Sequence, residues 1–188
     1  MGKRSNEVKR KNDAYMTWDK RALLPLLPHL ESGSSFVEPC AGKTDLIKQL
    51  QAQGHICLDA LDIDPVTPLV RRGDATEFVC DDVNVDYFIT NPPWTRSILH
   101  HIIMNLSDQR PTWLLFDADW CHTLQAIPYM SRCVKVVSIG RLKWIEGSPH
   151  DGKDNCAWYL FDYRHYSGPV FYPRLPKQKK VTELLKAA

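Results

Sequence analysis

Short hydrophobic runs along the chain alternate with segments in which apolar residues recur at helical spacing. The runs predict strands at residues 35–38, 55–62, 86–90, 112–116, 134–139 and 156–161. The helical spacing predicts one helix over 44–53, ended by Gly54, and another over 95–106. This alternation favours an α/β fold, with a mostly parallel sheet and helices on both faces. Ligands of such sheets bind beyond the carboxyl ends of the strands, so we look for functional residues there.

Polar segments rich in glycine and proline follow three of the predicted strands, at residues 38–44, 62–65 and 91–94. The first contains Gly42-Lys43-Thr44, which has the end of a phosphate-binding P-loop but Val37 where that motif requires glycine. No Gly-x-Gly-x-x-Gly segment is present either. The sequence therefore argues against a P-loop nucleotide triphosphatase and against the dinucleotide-binding fingerprint.

Composition predicts one globular domain spanning residues 1–188, because 44% of the residues are hydrophobic and 24% are charged. Six scattered cysteines without a Cys-x-x-Cys pair indicate reduced thiols and no metal site. The chain has no signal-peptide h-region and no apolar stretch near the roughly 20 residues that span a bilayer. We therefore expect a cytoplasmic protein with no membrane association.

The formal net charge of +2 is unevenly distributed, because both ends are basic and the middle of the chain is acidic. Residues 1–12 and 176–188 are interpreted as basic flexible tails. They could contact a polyanion, or they could be solvated segments that keep the protein soluble. The sequence leaves both interpretations open.

Four segments, taken in order, resemble the class I S-adenosylmethionine (SAM)-dependent methyltransferases: Phe36–Gly42, Leu61–Pro65, Gly73–Ala75 and Asp86–Trp94. The resemblance covers about residues 15–161. It is closest to amino-methyltransferases with an Asn/Asp-Pro-Pro-aromatic motif, which include adenine-N6 enzymes acting on DNA or RNA and small phage or prophage forms. It implies a Rossmann-like sheet of seven strands with the last one antiparallel, SAM as cofactor, S-adenosylhomocysteine as product and no metal.

The catalytic residues implied by the resemblance are Asn91, Pro92, Pro93 and Trp94. The exocyclic amine of a purine is a poor nucleophile, because its lone pair is delocalised into the ring. Two acceptors, the Asn91 side-chain oxygen and the Pro92 carbonyl, would orient that amine in a backbone stiffened by the prolines. Trp94 would offer a flat face to an unstacked base.

The cofactor-binding residues are assigned by the same resemblance. Glu38 would hold the amino-acid end, and Asp62 the ribose, with Asp64 as a rival. Asp74 would accept from the adenine amino group, or serve only as a turn residue. The full predicted set is Tyr15, Thr17, Glu38, Pro39, Cys40, Ala41, Gly42, Asp62, Ile63, Asp74, Ala75 and Asn91. Thr44 replaces a second glycine of the family, either crowding the cofactor or acting as the N-cap of the following helix.

Candidate substrate contacts lie after later strands: Trp94, Asp119, Trp120, Arg141, Lys143 and Trp144, with core packing as the alternative for Trp120. The expected function is methyl transfer to an exocyclic amino nitrogen, with adenine N6 in DNA favoured. RNA adenine or guanine methylation, protein glutamine-N5 methylation and a catalytically degenerate SAM- or nucleic-acid-binding protein are the alternatives. The expected partner is nucleic acid in a bacterial or phage-infected cytosol, with relaxed target choice and an open oligomeric state.

Overall fold

The computed structural model describes residues 15–175, so both predicted basic tails lie outside the described residues. An eight-stranded sheet forms the centre of the fold. Its strands are β1 (Ser35–Glu38), β2 (Ile56–Asp62), β3 (Arg71–Arg72), β4 (Tyr87–Thr90), β5 (Thr112–Asp117), β6 (Cys133–Gly140), β7 (Cys156–Phe161) and β8 (Val170–Tyr172). The α-helices are α1 (Asp45–Gln51), α2 (Arg96–Ser107) and α3 (Ile127–Met130), with 3₁₀ turns at Leu27–His29, Ala118–His122 and Leu124–Ala126. Within residues 15–175, no helix is both long and apolar enough to cross a bilayer.

The strand order is β3-β2-β1-β4-β5-β7-β6-β8. Strand β7 runs antiparallel to both of its neighbours, and the other pairs are parallel. This confirms the predicted α/β class and an antiparallel strand, β7, in a mostly parallel sheet. The sheet has eight strands instead of the predicted seven, and its last strand, β8, is parallel to β6. The short edge strands β3 and β8 were not predicted, because two or three exposed residues carry no readable alternation.

Two hydrophobic clusters cover the two faces of the sheet. Consecutive residues of a strand point to opposite faces, so Phe36 joins one cluster and Val37 the other. Leu46 and Leu50 of α1 pack in the cluster of Phe36. Leu99 and Ile103 of α2 pack in the cluster of Val37. The prediction of helices on both faces is therefore confirmed.

The central position of β1 decides where the polar strand ends meet. Strand β1 pairs in parallel with β2 on one side and with β4 on the other. Glu38, Asp62 and Thr90 end these three strands, so their carboxyl ends share one edge of the sheet. This edge carries the segments that the sequence singled out.

Candidate active site

A cavity of about 570 Å³ opens at the carboxyl edge of the sheet. Its volume lies in the usual range of small-molecule sites. Among the predicted cofactor residues, its walls include Tyr15, Pro39, Cys40, Gly42, Asp62, Ile63, Asp74, Ala75 and Asn91. A recess of about 20 Å³ adjoins it and is lined by Thr17, Glu38 and Ala41 as well as Tyr15, Cys40 and Asn91. Every residue of the predicted cofactor set thus lines the cavity or its recess.

Glu38 lies at the inner recess with an uncompensated carboxyl group. Its side chain is buried, and its Oε2 atom has no hydrogen-bond partner. Burial raises the pKa of Glu38 well above its usual range, and the nearby carboxylates of Asp62 and Asp45 raise it further. The backbone amide of Ile47 acts in the opposite direction. A buried acid with acidic neighbours fits a cationic or hydrogen-bond-donating ligand group.

Asp62 connects the first loop to the end of β2. Its Oδ2 accepts from the Gly42 amide at 2.9 Å, and its Oδ1 accepts from the Asp64 amide at 2.9 Å. Gly42 has φ +48°, and a Cβ there would lie 2.5 Å from the Sδ atom of Met16. The positive φ favours glycine, and a larger residue would also require the Met16 side chain to move. Asp64 also lines the cavity, but its exposed side chain faces Arg72 at 3.7 Å.

Asp74 lies in a turn and also lines the cavity. One of its carboxylate oxygens accepts from the amide of Thr76 at 2.8 Å and from the Thr76 hydroxyl at 2.7 Å, which is the pattern of an Asx turn. The residue also lines the cavity next to Ala75. The turn therefore holds the carboxylate at the cavity wall.

Thr44 corrects one sequence prediction. It precedes α1 but has φ 65° and makes no capping hydrogen bond with its side chain, so it is not an N-cap of the usual kind. Its hydroxyl donates to the Lys43 carbonyl instead. Thr44 keeps the left-handed backbone that glycine adopts without strain. It lines neither the cavity nor the recess.

Asn91 is held in a single orientation by its partners. Its Nδ2 donates to the Tyr15 carbonyl at 2.8 Å, and its Oδ1 accepts from the Trp94 indole Nε1 at 3.3 Å. One partner is an acceptor and the other a donor, so the side-chain oxygen points away from Tyr15. Pro92 is buried behind it, and Pro93 lines the cavity.

Trp94 packs against the segment after β6. Its ring meets that of Trp144 edge to face, with centroids 5.6 Å apart and planes at 88°. Tyr15 lies against the other side of this contact, 6.1 Å from Trp144. Trp144, a candidate substrate contact, therefore sits beside the Asn-Pro-Pro-Trp segment, although neither tryptophan lines the cavity itself.

The flap, residues 141–155, is fastened to the segment that precedes β1. The Lys143 amide donates to Asp19 Oδ2 at 2.9 Å. Arg21 bridges Asp19 at 2.6 Å and Asp151 at 2.7 Å. A Cβ on Gly152 would lie 2.7 Å from the Trp144 indole, so the ring rests directly on this glycine. These contacts fix the position of Trp144.

None of the six predicted substrate residues lines the cavity. Trp120 is fully buried, and its indole Nε1 donates to His100 Nε2 at 3.1 Å. It is therefore a core residue, not a substrate contact. Asp119 is exposed on the 3₁₀ turn after β5 and does not reach the cavity wall. Arg141 is exposed directly after β6.

Helix α2 supplies cavity residues that sequence reasoning missed: Ser97, Ile98, His101 and Ile102. His101 is exposed and also lines the cavity. The sequence position of α2 could have indicated these residues. The helix begins just after the Asn-Pro-Pro-Trp segment, so its first turns lie at the same edge of the sheet. Within residues 15–175, no cluster of histidine, cysteine and acidic side chains could hold a metal ion.

No protein-family model and no curated protein sequence matches this chain. Solved structures do share its architecture. A methyltransferase subunit of a type I restriction-modification system from Streptococcus thermophilus matches 89% of this chain with 51% of its own, at 9% identity and a TM-score of 0.50. A protein from Pyrococcus horikoshii assigned as an RNA methyltransferase matches 76% of this chain with 81% of its own, at 13% identity and a TM-score of 0.50.

A modification subunit from Vibrio vulnificus, assigned to a type I restriction enzyme, matches 92% of this chain with 52% of its own, at 10% identity and a TM-score of 0.52. This chain thus spans about half the length of the two restriction-system subunits. At such identities the likeness establishes architecture only. The chain has the Rossmann-like fold of the class I methyltransferases.

Proposed function

We propose that this protein is a SAM-dependent methyltransferase that modifies an exocyclic amino nitrogen, with adenine N6 in DNA as the favoured target. One observation carries the proposal. The buried, uncompensated carboxyl of Glu38 lies in a recess that joins a cavity walled by Asp62, Asp74 and Asn91. A ligand with a cationic amino group, a ribose and an adenine matches this order of groups.

The residues of the cavity fit the parts of the cofactor. When bound, the cofactor supplies a methyl group activated by a cationic sulfur. Glu38 would accept hydrogen bonds from the amino group, which also removes the penalty of its own isolated charge. Asp62 would accept from the ribose hydroxyls, as acids do in dinucleotide sites. Ile63, Ala75 and Asp74 would bind the adenine between apolar walls and one acceptor.

Asn91 would select an amino group as the methyl acceptor. Its Nδ2 is already engaged by Tyr15, so Oδ1 is the atom left to accept a hydrogen bond from the target. The Pro92 carbonyl would accept the second amine hydrogen. The Trp94 indole N–H donates to the same oxygen, which keeps a second lone pair for the target amine. The arrangement needs little reorganisation of the acceptors, which favours the transition state.

A nucleic-acid target agrees with the aromatic surroundings of Asn91. Trp94, Trp144 and Tyr15 form a cluster that could stack with a base removed from its helix. The fold neighbours include the restriction-modification methyltransferase subunit and the assigned RNA methyltransferase, which act as support for this substrate class.

The test is transfer of a labelled methyl group from SAM into DNA, RNA and protein pools. We expect label in DNA at adenine N6. We expect Asn91→Ala to lower transfer by about 10²- to 10³-fold, the usual effect of losing a preorganised polar group. Its affinity for S-adenosylhomocysteine should change less than tenfold. Asn84→Ala is the matched control, because Asn84 is exposed and its side chain donates to Asp82 within its own turn.

Three outcomes would overturn parts of this proposal. Label in RNA or in protein glutamine, and not in DNA, would show that the substrate belongs to that class instead. Binding of S-adenosylhomocysteine without transfer into any pool would indicate a binding protein. Unchanged transfer by Asn91→Ala would remove the catalytic assignment.

A further inference from the structure

Arg174 lies against the end of β6. A Cβ on Gly140 would fall 2.6 Å from the guanidinium carbon of Arg174 and 2.7 to 2.8 Å from two of its nitrogens. Gly140 also has φ +93°, a conformation that other residues rarely adopt. The glycine therefore leaves the space in which the guanidinium group sits.

A second arginine is adjacent. Arg141 follows Gly140 directly, and both Arg141 and Arg174 are exposed. In the part of the chain that the structure describes, neither of them forms an ion pair. Both side chains therefore lack a carboxylate partner, and an anionic ligand would supply the missing counter-charge.

Three acids at this edge are paired with other arginines. Arg21 pairs with Asp19 and Asp151, and Arg96 pairs with Asp117 at 2.8 Å. These pairs neutralise carboxylates at the carboxyl edge and leave the charge of the two free arginines exposed. The surface formed by Arg141 and Arg174 is called here the edge pair.

The edge pair is connected to the proposed catalytic segment by the flap. Strand β8 runs parallel to β6, with Val137 opposite Tyr172, so Arg174 leaves β8 at the same edge where Arg141 leaves β6. Three residues after Arg141, Trp144 contacts Trp94, which bonds to Asn91. Charge and aromatic rings thus follow one another along this edge, as in surfaces that bind single-stranded nucleic acid.

We infer that the edge pair binds the phosphodiester backbone of the nucleic acid next to the base presented to Asn91. The inference rests on the proposed function and names the surface that carries its polymeric substrate. Arginine suits this role, because its planar guanidinium group can bind a phosphate through two parallel hydrogen bonds. Such contacts position the strand and supply affinity without reading sequence.

The test is the salt dependence of binding to oligonucleotides of one sequence, prepared as single-stranded DNA, duplex DNA and RNA. Each phosphate contact contributes about 0.9 to the slope of log K against log salt on duplex DNA and about 0.7 on single strands. We expect Arg141→Ala with Arg174→Ala to reduce the slope by about 1.4 to 1.8 on the preferred strand form. The affinity for S-adenosylhomocysteine should stay unchanged.

Arg164→Ala is the control, because it removes one arginine that pairs with Asp162 beyond the opposite end of the sheet. Arg174→Lys should keep most of the slope, since the charge remains. An unchanged slope in the double variant would overturn the inference, as would an equal loss in Arg164→Ala. The inference would also be overturned if the double variant lost the same amount of slope in binding to phosphatidylserine vesicles or to polyglutamate as in binding to the oligonucleotides. Methyl transfer is measured separately. If the wild type transfers methyl groups but the double variant keeps the wild-type slope, this inference is refuted and the proposed function stands.

Discussion

At the scale of single residues, the buried carboxyl of Glu38 lowers the stability of the free protein, and the proposed ligand would compensate it. Its pKa is raised in the folded protein, by burial first and then by Asp62 and Asp45. The unfolded chain releases this proton near the ordinary value of 4.5, while the folded protein retains it to higher pH. The folded state binds more protons in that window, so its stability falls as the pH rises above about 4.5.

We therefore predict that Glu38→Gln stabilises the free protein at neutral pH and weakens its binding of S-adenosylhomocysteine. The stabilisation should shrink as the pH approaches 4.5, where the wild-type acid becomes neutral. A lost hydrogen bond to a charged group amounts to about 1.5–3 kcal/mol, which is roughly a 10- to 150-fold loss of affinity. Urea unfolding at pH 5 and pH 8, with calorimetry, measures both effects.

The control for this prediction is Glu31→Gln, because Glu31 is an exposed carboxyl outside the cavity. It should change neither stability nor affinity. A Glu38→Gln protein less stable than the wild type at pH 8 would contradict the pKa argument. Unchanged affinity would remove Glu38 from the ligand site.

Residue types and their order predicted the cavity walls but not every conformation. The twelve predicted cofactor residues converge because the parallel strand ends must share one edge. The left-handed backbone of Thr44 and the Trp94–Asn91 bond depend on tertiary packing, so spacing alone did not reveal them. Trp120 was ambiguous for the same reason, since a tryptophan after a strand can face the core or the ligand.

At the scale of elements, the flap is the feature that depends most on a few polar contacts. Burial tends to raise the pKa of Asp19, but hydrogen bonds from Arg21 and the Lys143 amide outweigh it, so the pKa lies below 3.8. The stabilisation from this carboxylate is present at neutral pH. It is lost as the pH falls through the lowered pKa of the folded state.

We predict that Asp19→Asn loosens the flap without unfolding the sheet. The variant replaces a charge-assisted acceptor, so the closed flap should lose about 1.5–3 kcal/mol. Limited trypsin digestion should then cut after Lys143 or Lys153 about tenfold faster or more, because these bonds become accessible when the flap opens. Mass spectrometry of the fragments identifies the cleaved bonds.

Asp162→Asn is a matched control for the flap. Asp162 binds Arg164 with the same spacing and the same pattern of backbone and guanidinium bonds as Asp19 and Arg21. It lies beyond the other end of the sheet, so its loss should not expose Lys143. Equal acceleration in both variants would mean that Asp19 does not hold the flap.

The regular elements were largely predictable because they are buried on one or both sides. Strands β1 and β7 have the predicted bounds, and both are buried throughout. Helix α1 ends earlier than predicted, at Gln51, and α2 is shifted by one residue. Strands β3 and β8 and the contacts of the flap were not readable, because their residues are exposed and their partners are distant in sequence.

At the scale of the whole molecule, the cavity joins parts of the chain that are far apart. Tyr15 precedes β1, Asn91 follows β4, and α2 adds Ile98 and His101. A ligand that touches all of them ties these segments together in the folded state. Ligand binding must therefore raise global stability by the binding free energy.

We predict that S-adenosylhomocysteine at about 100 times its Kd stabilises the protein by about 2.7 kcal/mol. For a chain of this length that corresponds to a rise in Tm of roughly 5–10 °C. Adenosine lacks the amino-acid end that Glu38 is proposed to bind, so at the same concentration it should raise Tm by less. In Glu38→Gln the two ligands should give the same shift, because the carboxylate that distinguishes them is gone.

Thermal unfolding with each ligand separates these cases. Equal shifts from both ligands in the wild type would show that the recess holds no amino-acid group, and a full S-adenosylhomocysteine shift in Glu38→Gln would mean that another residue binds it.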